Sequence, residues 1–176
     1  EGDTVEDPDN AFRGKRMKNG WKNAGLPWTY DFDPKKILLP TDGSDLSAKA
    51  IQGGLEFAKA LNASVVGVTV VEPYSYSNLS EYRPETLDDY EQRMMKSAAE
   101  RLGTVADAAA KAAVPFETVT VKSFSPFEAI IDTAKAKGCD VIFMASHGRR
   151  GLSAVLLGSE TQKVLTHSTI PVMVYR

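Results

Sequence analysis

The chain has 176 residues, 43% of them hydrophobic and 25% charged, and a formal net charge of −2. This gives room for one domain with a proper core and little more, with the polar balance of an ordinary globular protein in water. The small net charge excludes a global electrostatic pull toward nucleic acid or membrane, and no apolar run approaches the roughly 20 residues that a spanning helix needs.

Cys139 is the single cysteine, so no internal disulfide can form, which fits a reducing, cytoplasmic setting. Residues 1–34 differ from the rest and read as an N-terminal arm, partly extended or flexible. Glu1, Asp3, Glu6, Asp7 and Asp9 make an acidic start, and Arg13, Lys15, Arg16, Lys18 and Lys22 follow as a basic stretch. No sustained helical or strand period runs through them, the composition of a solvated tail. Trp21 and Trp28 pull the other way, because large amphipathic rings favour a contact surface on the domain or on a protein partner. The acids beside the basic cluster disfavour nucleic acid as that partner.

The domain proper is predicted over residues 35–176. Residues 35–40, KKILLP, read as a first strand that ends at Thr41-Asp42-Gly43-Ser44-Asp45. Apolar residues at Ala48, Ile51, Leu55, Ala58 and Leu61 then recur with helical spacing. Residues 64–71, SVVGVTVV, form a second strand, and 72–85 a polar loop long enough to serve as a lid. Thr86 can cap a helix reaching about residue 113, with Leu87, Tyr90, Met94, Leu102 and Val105 on its inner face. A third strand covers 116–122. Ser125-Pro126-Phe127-Glu128 is a compact helix start, with an N-cap serine and proline at the first helical position, and Gly138 suits the C-terminal cap.

The richest stretch follows, VIFMASHGRRGLSAVLLGSET over residues 141–161. Its first five residues are apolar without alternation, as expected of a strand covered on both faces in a parallel sheet. The run stops at a glycine-bearing loop containing Gly148 and Gly151. Gly158-Ser159-Glu160-Thr161 then starts a helix to about residue 168, with Ser159 able to cap it, and 170–175 form the last strand. Strand, glycine loop and helix start make an anion cradle, where free N–H groups and the positive end of a helix dipole favour phosphate. The spacing is neither the Gly-x-Gly-x-x-Gly fingerprint nor a Walker loop. Five strands alternating with helices predict an α/β fold, a doubly wound parallel sheet with helices on both faces.

The loop resembles the nucleotide-binding signature of the universal stress protein family, which is Gly, two residues, Gly, nine residues, then Gly-Ser or Gly-Thr. Here Ala145 stands in the first glycine's place, followed by Gly148, nine residues and Gly158-Ser159. Leu38-Leu39-Pro40-Thr41-Asp42-Gly43-Ser44, the run from Ala134 to Asp140, and Ile170-Pro171-Val172-Met173-Val174 also match in order. The resemblance implies a five-stranded parallel sheet of the adenine nucleotide alpha hydrolase-like type, and a homodimer through the last strand, 170–175. It further implies that Pro40, Thr41 and Asp42 meet the nucleoside, with Asp42 the acidic contact. Val70 would meet adenine through its backbone, and Met144 and Ala145 would lie beside adenine and ribose. Gly148, Gly158, Ser159, Glu160 and Thr161 would surround the phosphates of ATP or AMP, with Mg²⁺ held through those phosphates.

Residue by residue, plainer roles stand beside these. Asp42 can brace a turn, Glu160 can repel phosphate, bind it through a cation or face solvent, and Arg149 and Arg150 are phosphate partners or exposed loop charges. His147 has no visibly paired nucleophile or acid, and His167 near a helix end has a structural explanation. The expected function is an ATP-binding regulatory protein of stress response, a nucleotide-dependent switch or adaptor and not an enzyme. A nucleotide-free dimeric interaction module using the arm is the alternative. A slow ATPase is disfavoured by the missing Walker lysine and aspartate.

Overall fold

The computed structural model describes residues 3–4, 16–18, 33–75, 86–148 and 157–176. The chain divides into two compact units, Glu1–Asp33 and Pro34–Arg176. In the first, β1 (Asp3–Thr4) pairs antiparallel with β2 (Arg16–Lys18), so this part of the arm carries short strands that its sequence pattern did not announce. Trp21 and Trp28 lie outside the described residues, as does most of the loop over 72–85.

The second unit runs β3 (Lys36–Pro40), α1 (Asp45–Ala60), β4 (Ser64–Val71), α2 (Leu87–Ala112), β5 (Phe116–Lys122), α3 (Pro126–Ala136), β6 (Val141–Ala145), α4 (Ser159–His167) and β7 (Val172–Tyr175). The sheet is parallel throughout, with strand order β5-β4-β3-β6-β7. Within the uniformly apolar β6, alternate side chains serve opposite cores. Val141, Phe143 and Ala145 join Ile37 and Leu39 with residues of α1 and α2, whereas Ile142 and Met144 join Leu38 with residues of α3 and α4. All five β6 residues are buried, which is why the run lacks a polar alternate.

Three local details differ from the sequence expectation. The last strand begins at Val172, not at residue 170. Ser168 Oγ accepts from the Ile170 N–H at 3.0 Å and donates to the Ile170 carbonyl at 2.7 Å, tying that residue into a turn, and Pro171 has no N–H to give a ladder. Leu87, expected on the inner face of α2, is 51% exposed at the helix's first position, while Tyr90, Leu102 and Val105 are buried. Ser125 stands at the N-cap of α3 but makes no side-chain capping bond.

Helix α1 approaches the sheet closely because Gly53 and Gly54 face it. A Cβ on Gly54 would lie 2.5 Å from Leu39 Cδ2 and 3.2 Å from Phe143 Cδ1, both in fully packed surroundings. Gly103 in α2 has nothing within 4 Å of the same point. The two glycines should therefore respond oppositely to alanine. Gly103→Ala should stabilise the protein by about 0.5–1 kcal/mol through helix propensity. Gly54→Ala should lose that gain to overpacking and come out destabilised by about 1–2 kcal/mol. Urea unfolding of both variants checks the pair, and stabilisation by Gly54→Ala would show that α1 does not sit this close.

Candidate functional site

The sheet order places β3 and β6 side by side at its middle, with α1 leaving β3 on one face and α4 leaving β6 on the other. At such a reversal the loops diverge and a crevice opens beyond the carboxyl ends of the strands. A cavity of about 530 Å³ lies there, lined by Pro40, Thr41 and Asp42 after β3, Val68, Val70 and Glu72 at the end of β4, and Met144 and Ala145 of β6. His147, Gly148 and the helix start Gly158, Ser159, Glu160 and Thr161 close it on the α4 side, and Pro126, Ile130, Ser47 and Arg101 complete the wall. Arg149, expected beside the phosphates, lies outside the described residues, as do Arg150 and Gly151.

The β3 end is tightly bonded. Thr41 N–H donates to the Val68 carbonyl at 2.8 Å, and Thr69 Oγ1 donates to the Thr41 carbonyl at 2.9 Å. Asp42 Oδ1 accepts from Ser44 N–H at 3.0 Å, across Gly43 at φ 78°, a left-handed turn that suits glycine. Ser44 in turn caps α1 by accepting from Ser47 N–H at 3.2 Å. Asp42 Oδ2 rests against Gly148, where any side chain would collide with it. Asp42 thus braces the turn through Oδ1 and also lines the cavity.

Val70 matters through its backbone. In the parallel ladder Val68 turns its carbonyl toward β3, and Val70, two residues on, presents its N–H and C=O on the same side. The paired register of β3 ends at Pro40, opposite Val68, so that edge of Val70 opens on the cavity.

On the α4 side one expectation is corrected. Gly158, not Ser159, is the N-cap, and Ser159 is the first helical residue, exposed. Gly158 N–H donates to the Ser146 carbonyl at 2.8 Å, and a Cβ on Gly158 would lie 3.1 Å from His147 Cα. Its lack of a side chain is needed first for the approach of helix to loop. The Thr161 hydroxyl, expected at the phosphates, is buried and donates to the Ala145 carbonyl at 3.0 Å, locking α4 to the end of β6. The Glu160 carboxylate accepts from Phe127 N–H at 3.0 Å through Oε2 and from Lys163 Nζ at 2.8 Å through Oε1. It supplies the cap for α3 that Ser125 does not.

The first turn of α4 lines the cavity, and the N–H groups of a helix's first turn, which have no intrahelical acceptor, are able to receive an anion. His147 Nδ1 lies 3.2 Å from Ser146 Oγ. The Cys139 thiol is buried away from the cavity, and burial pushes its pKa up to about 11, the behaviour of an inert core thiol. Among the described residues no cluster of three metal-ligating side chains forms. His167 stacks near Phe127, with ring centroids 5.3 Å apart, a packing role.

Glu72 and Arg101 were not singled out in the sequence. Glu72 directly follows a strand whose carboxyl end was already suspect. Arg101 precedes the buried Leu102 on an amphipathic helix and looks there like any solvated charge; its Nη1 reaches Thr69 Oγ1 at 3.5 Å. The bonding pattern makes a sharp prediction. Thr161→Val leaves the buried Ala145 carbonyl without its donor and should cost about 1–3 kcal/mol, whereas Ser159→Ala, which removes no cap, should stay within about 0.5 kcal/mol. Thermal melts of both variants decide it, and equal losses would return the capping role to Ser159.

Residues 34–176 match the sequence model of the Universal stress protein family. Universal stress protein YxiE of Bacillus subtilis is 34% identical over 146 residues, covering 80% of this chain and 98% of that protein. The solved structure of protein MJ0577 of Methanocaldococcus jannaschii superposes with a TM-score of 0.64 at 26% identity, covering 80% of this chain and 94% of that one. A universal stress protein solved in complex with cAMP shares the fold, with a TM-score of 0.62 at 23% identity over 82% of this chain and 98% of that one. With its sheet order, its crevice and these matches taken together, the chain belongs to the universal stress protein family.

Proposed function

We propose that this protein binds an adenine nucleotide in the crevice between β3 and β6 and acts as a nucleotide-dependent regulatory switch or adaptor. The observation that carries the reading is the convergence of three unlike elements on one 530 Å³ cavity: the Asp42 carboxylate, the open backbone edge of Val70 and the first turn of α4. A carboxylate accepts the two hydroxyls of a ribose, a strand edge offers a donor and an acceptor to a base, and helix N–H groups receive a phosphoryl group. Met144 and Ile130 supply apolar wall between them. A divalent cation accompanying the ligand would be held through the phosphates. Among the described residues the lining contains no lysine, and Arg101 reaches the β4 side, an arrangement that supports holding a nucleotide over transferring its phosphoryl group.

Calorimetry of the purified protein with AMP, ATP and GTP tests the reading. Adenine nucleotides should bind with sub-millimolar affinity, and Asp42→Asn should weaken binding about tenfold or more, the worth of a charged hydrogen bond. Absence of adenine nucleotide binding at millimolar concentration overturns the proposal and leaves the interaction-module alternative.

We propose further that the protein is a homodimer through β7. This strand is a sheet edge, and its Met173 and Tyr175 positions face β6, so Val172 and Val174 turn their backbone groups outward. Sedimentation at micromolar concentration should show a dimer. Val172→Pro removes an outward donor while sparing the ladder to β6 and should shift the species toward monomer. A monomeric parent protein would refute the arrangement.

A further inference from the structure

We propose that the cavity selects nucleotides carrying a single phosphoryl group, open or cyclic, over di- and triphosphates, and that Glu160 sets this preference. The inference rests on the nucleotide reading above and names its ligand class. Glu160 is the second residue of α4 and lines the cavity beside the first turn whose N–H groups would receive phosphate. It is held from two directions, by Phe127 N–H at 3.0 Å and by Lys163 Nζ at 2.8 Å. Turning it away would strip the N-terminus of α3 of a cap that Ser125 does not provide. The Lys163 ammonium also sits over the Phe127 ring, 5.4 Å from its centroid, and Lys163 does not line the cavity, whereas Glu160 does.

Among the described residues, Asp42 and Glu72 add two more carboxylates to the lining, with Arg101 on the β4 side. A single phosphoryl group can be satisfied by the α4 amides. Each further one brings added negative charge against carboxylates fixed in a partly enclosed site, where repulsion is screened less than in bulk water. Glu160 acts here by charge at a fixed place, as a specificity-determining residue.

The experiment is calorimetry on the full chain with AMP and ATP, each with and without Mg²⁺, comparing the parent with Glu160→Gln. Glutamine keeps an oxygen for Phe127 N–H and loses the charge. The parent should bind AMP at least about tenfold more tightly than Mg²⁺-free ATP. Glu160→Gln should narrow that ratio several-fold by improving ATP, and Mg²⁺ should narrow it in the parent by neutralising triphosphate charge. ATP binding as tightly as AMP without Mg²⁺, or a ratio unmoved by Glu160→Gln in a variant that melts like the parent, overturns the inference. Should that variant melt early, salt decides: the parent's AMP preference must shrink as ionic strength rises, and a salt-independent preference overturns it. If neither nucleotide binds the parent, the nucleotide reading itself falls, an outcome distinct from all of these.

Discussion

Parallel strands cannot be joined by a hairpin, so each connection must cross the sheet, and the crossing puts a helix on one face or the other. In this chain α1 and α2 cover one face and α3 and α4 the other. The change of face occurs where β3 and β6 lie adjacent, and there the departing loops must separate. The cavity is the geometric remainder of that constraint. No side chain has to be spared from the core to create it; the residues at the three strand ends have only to be polar or small enough to leave it open.

Closeness is the second ingredient, and here glycine supplies it in different ways. Gly54 lets α1 settle onto Leu39 and Phe143, which holds the start of that helix, and hence the Asp42 turn, at a fixed height above the sheet. Gly148 leaves room for the Asp42 carboxylate, and Gly158 lets α4 rest on the backbone of His147. The bond from Thr161 Oγ1 to the Ala145 carbonyl then fixes the helix start to the strand end. Around the cavity, bonds within the chain engage the Thr161 hydroxyl and the Glu160 carboxylate.

This explains what could be read from the sequence. The strands and their burial were legible because an unbroken apolar run such as Val141–Ala145 has few alternatives to a doubly covered strand. The strand-end residues were legible because ligands in such sheets gather there. Individual bonds were not. Gly158 and Ser159 both offer an N-cap, and propensity favours the serine; crowding against His147 and the Gly158 N–H bond to Ser146 place the helix one residue earlier. The partner of Glu160 lies 33 residues away in sequence, at Phe127, and no local pattern announces it. Arg101 was hidden for the same reason, because a helix periodicity ranks its faces by apolarity and says nothing about what a long cation can reach.

The pairing at the heart of the site also has a consequence for how the protein comes into being. Strands β3 and β6 are joined late in the chain's length: Lys35 N–H donates to Asp140 Oδ2 across 105 residues, and Asp140 N–H donates to the Lys36 carbonyl. Contacts of such long sequence separation are slow to form, since most of the loop-closure entropy must be lost before they contribute. A nascent chain that has delivered β3, α1, β4 and α2 therefore holds Asp42 and Val70 with nothing opposite them. The crevice exists only once α4 has left the ribosome, so a small molecule seated there stabilises the finished fold and none of its shorter precursors.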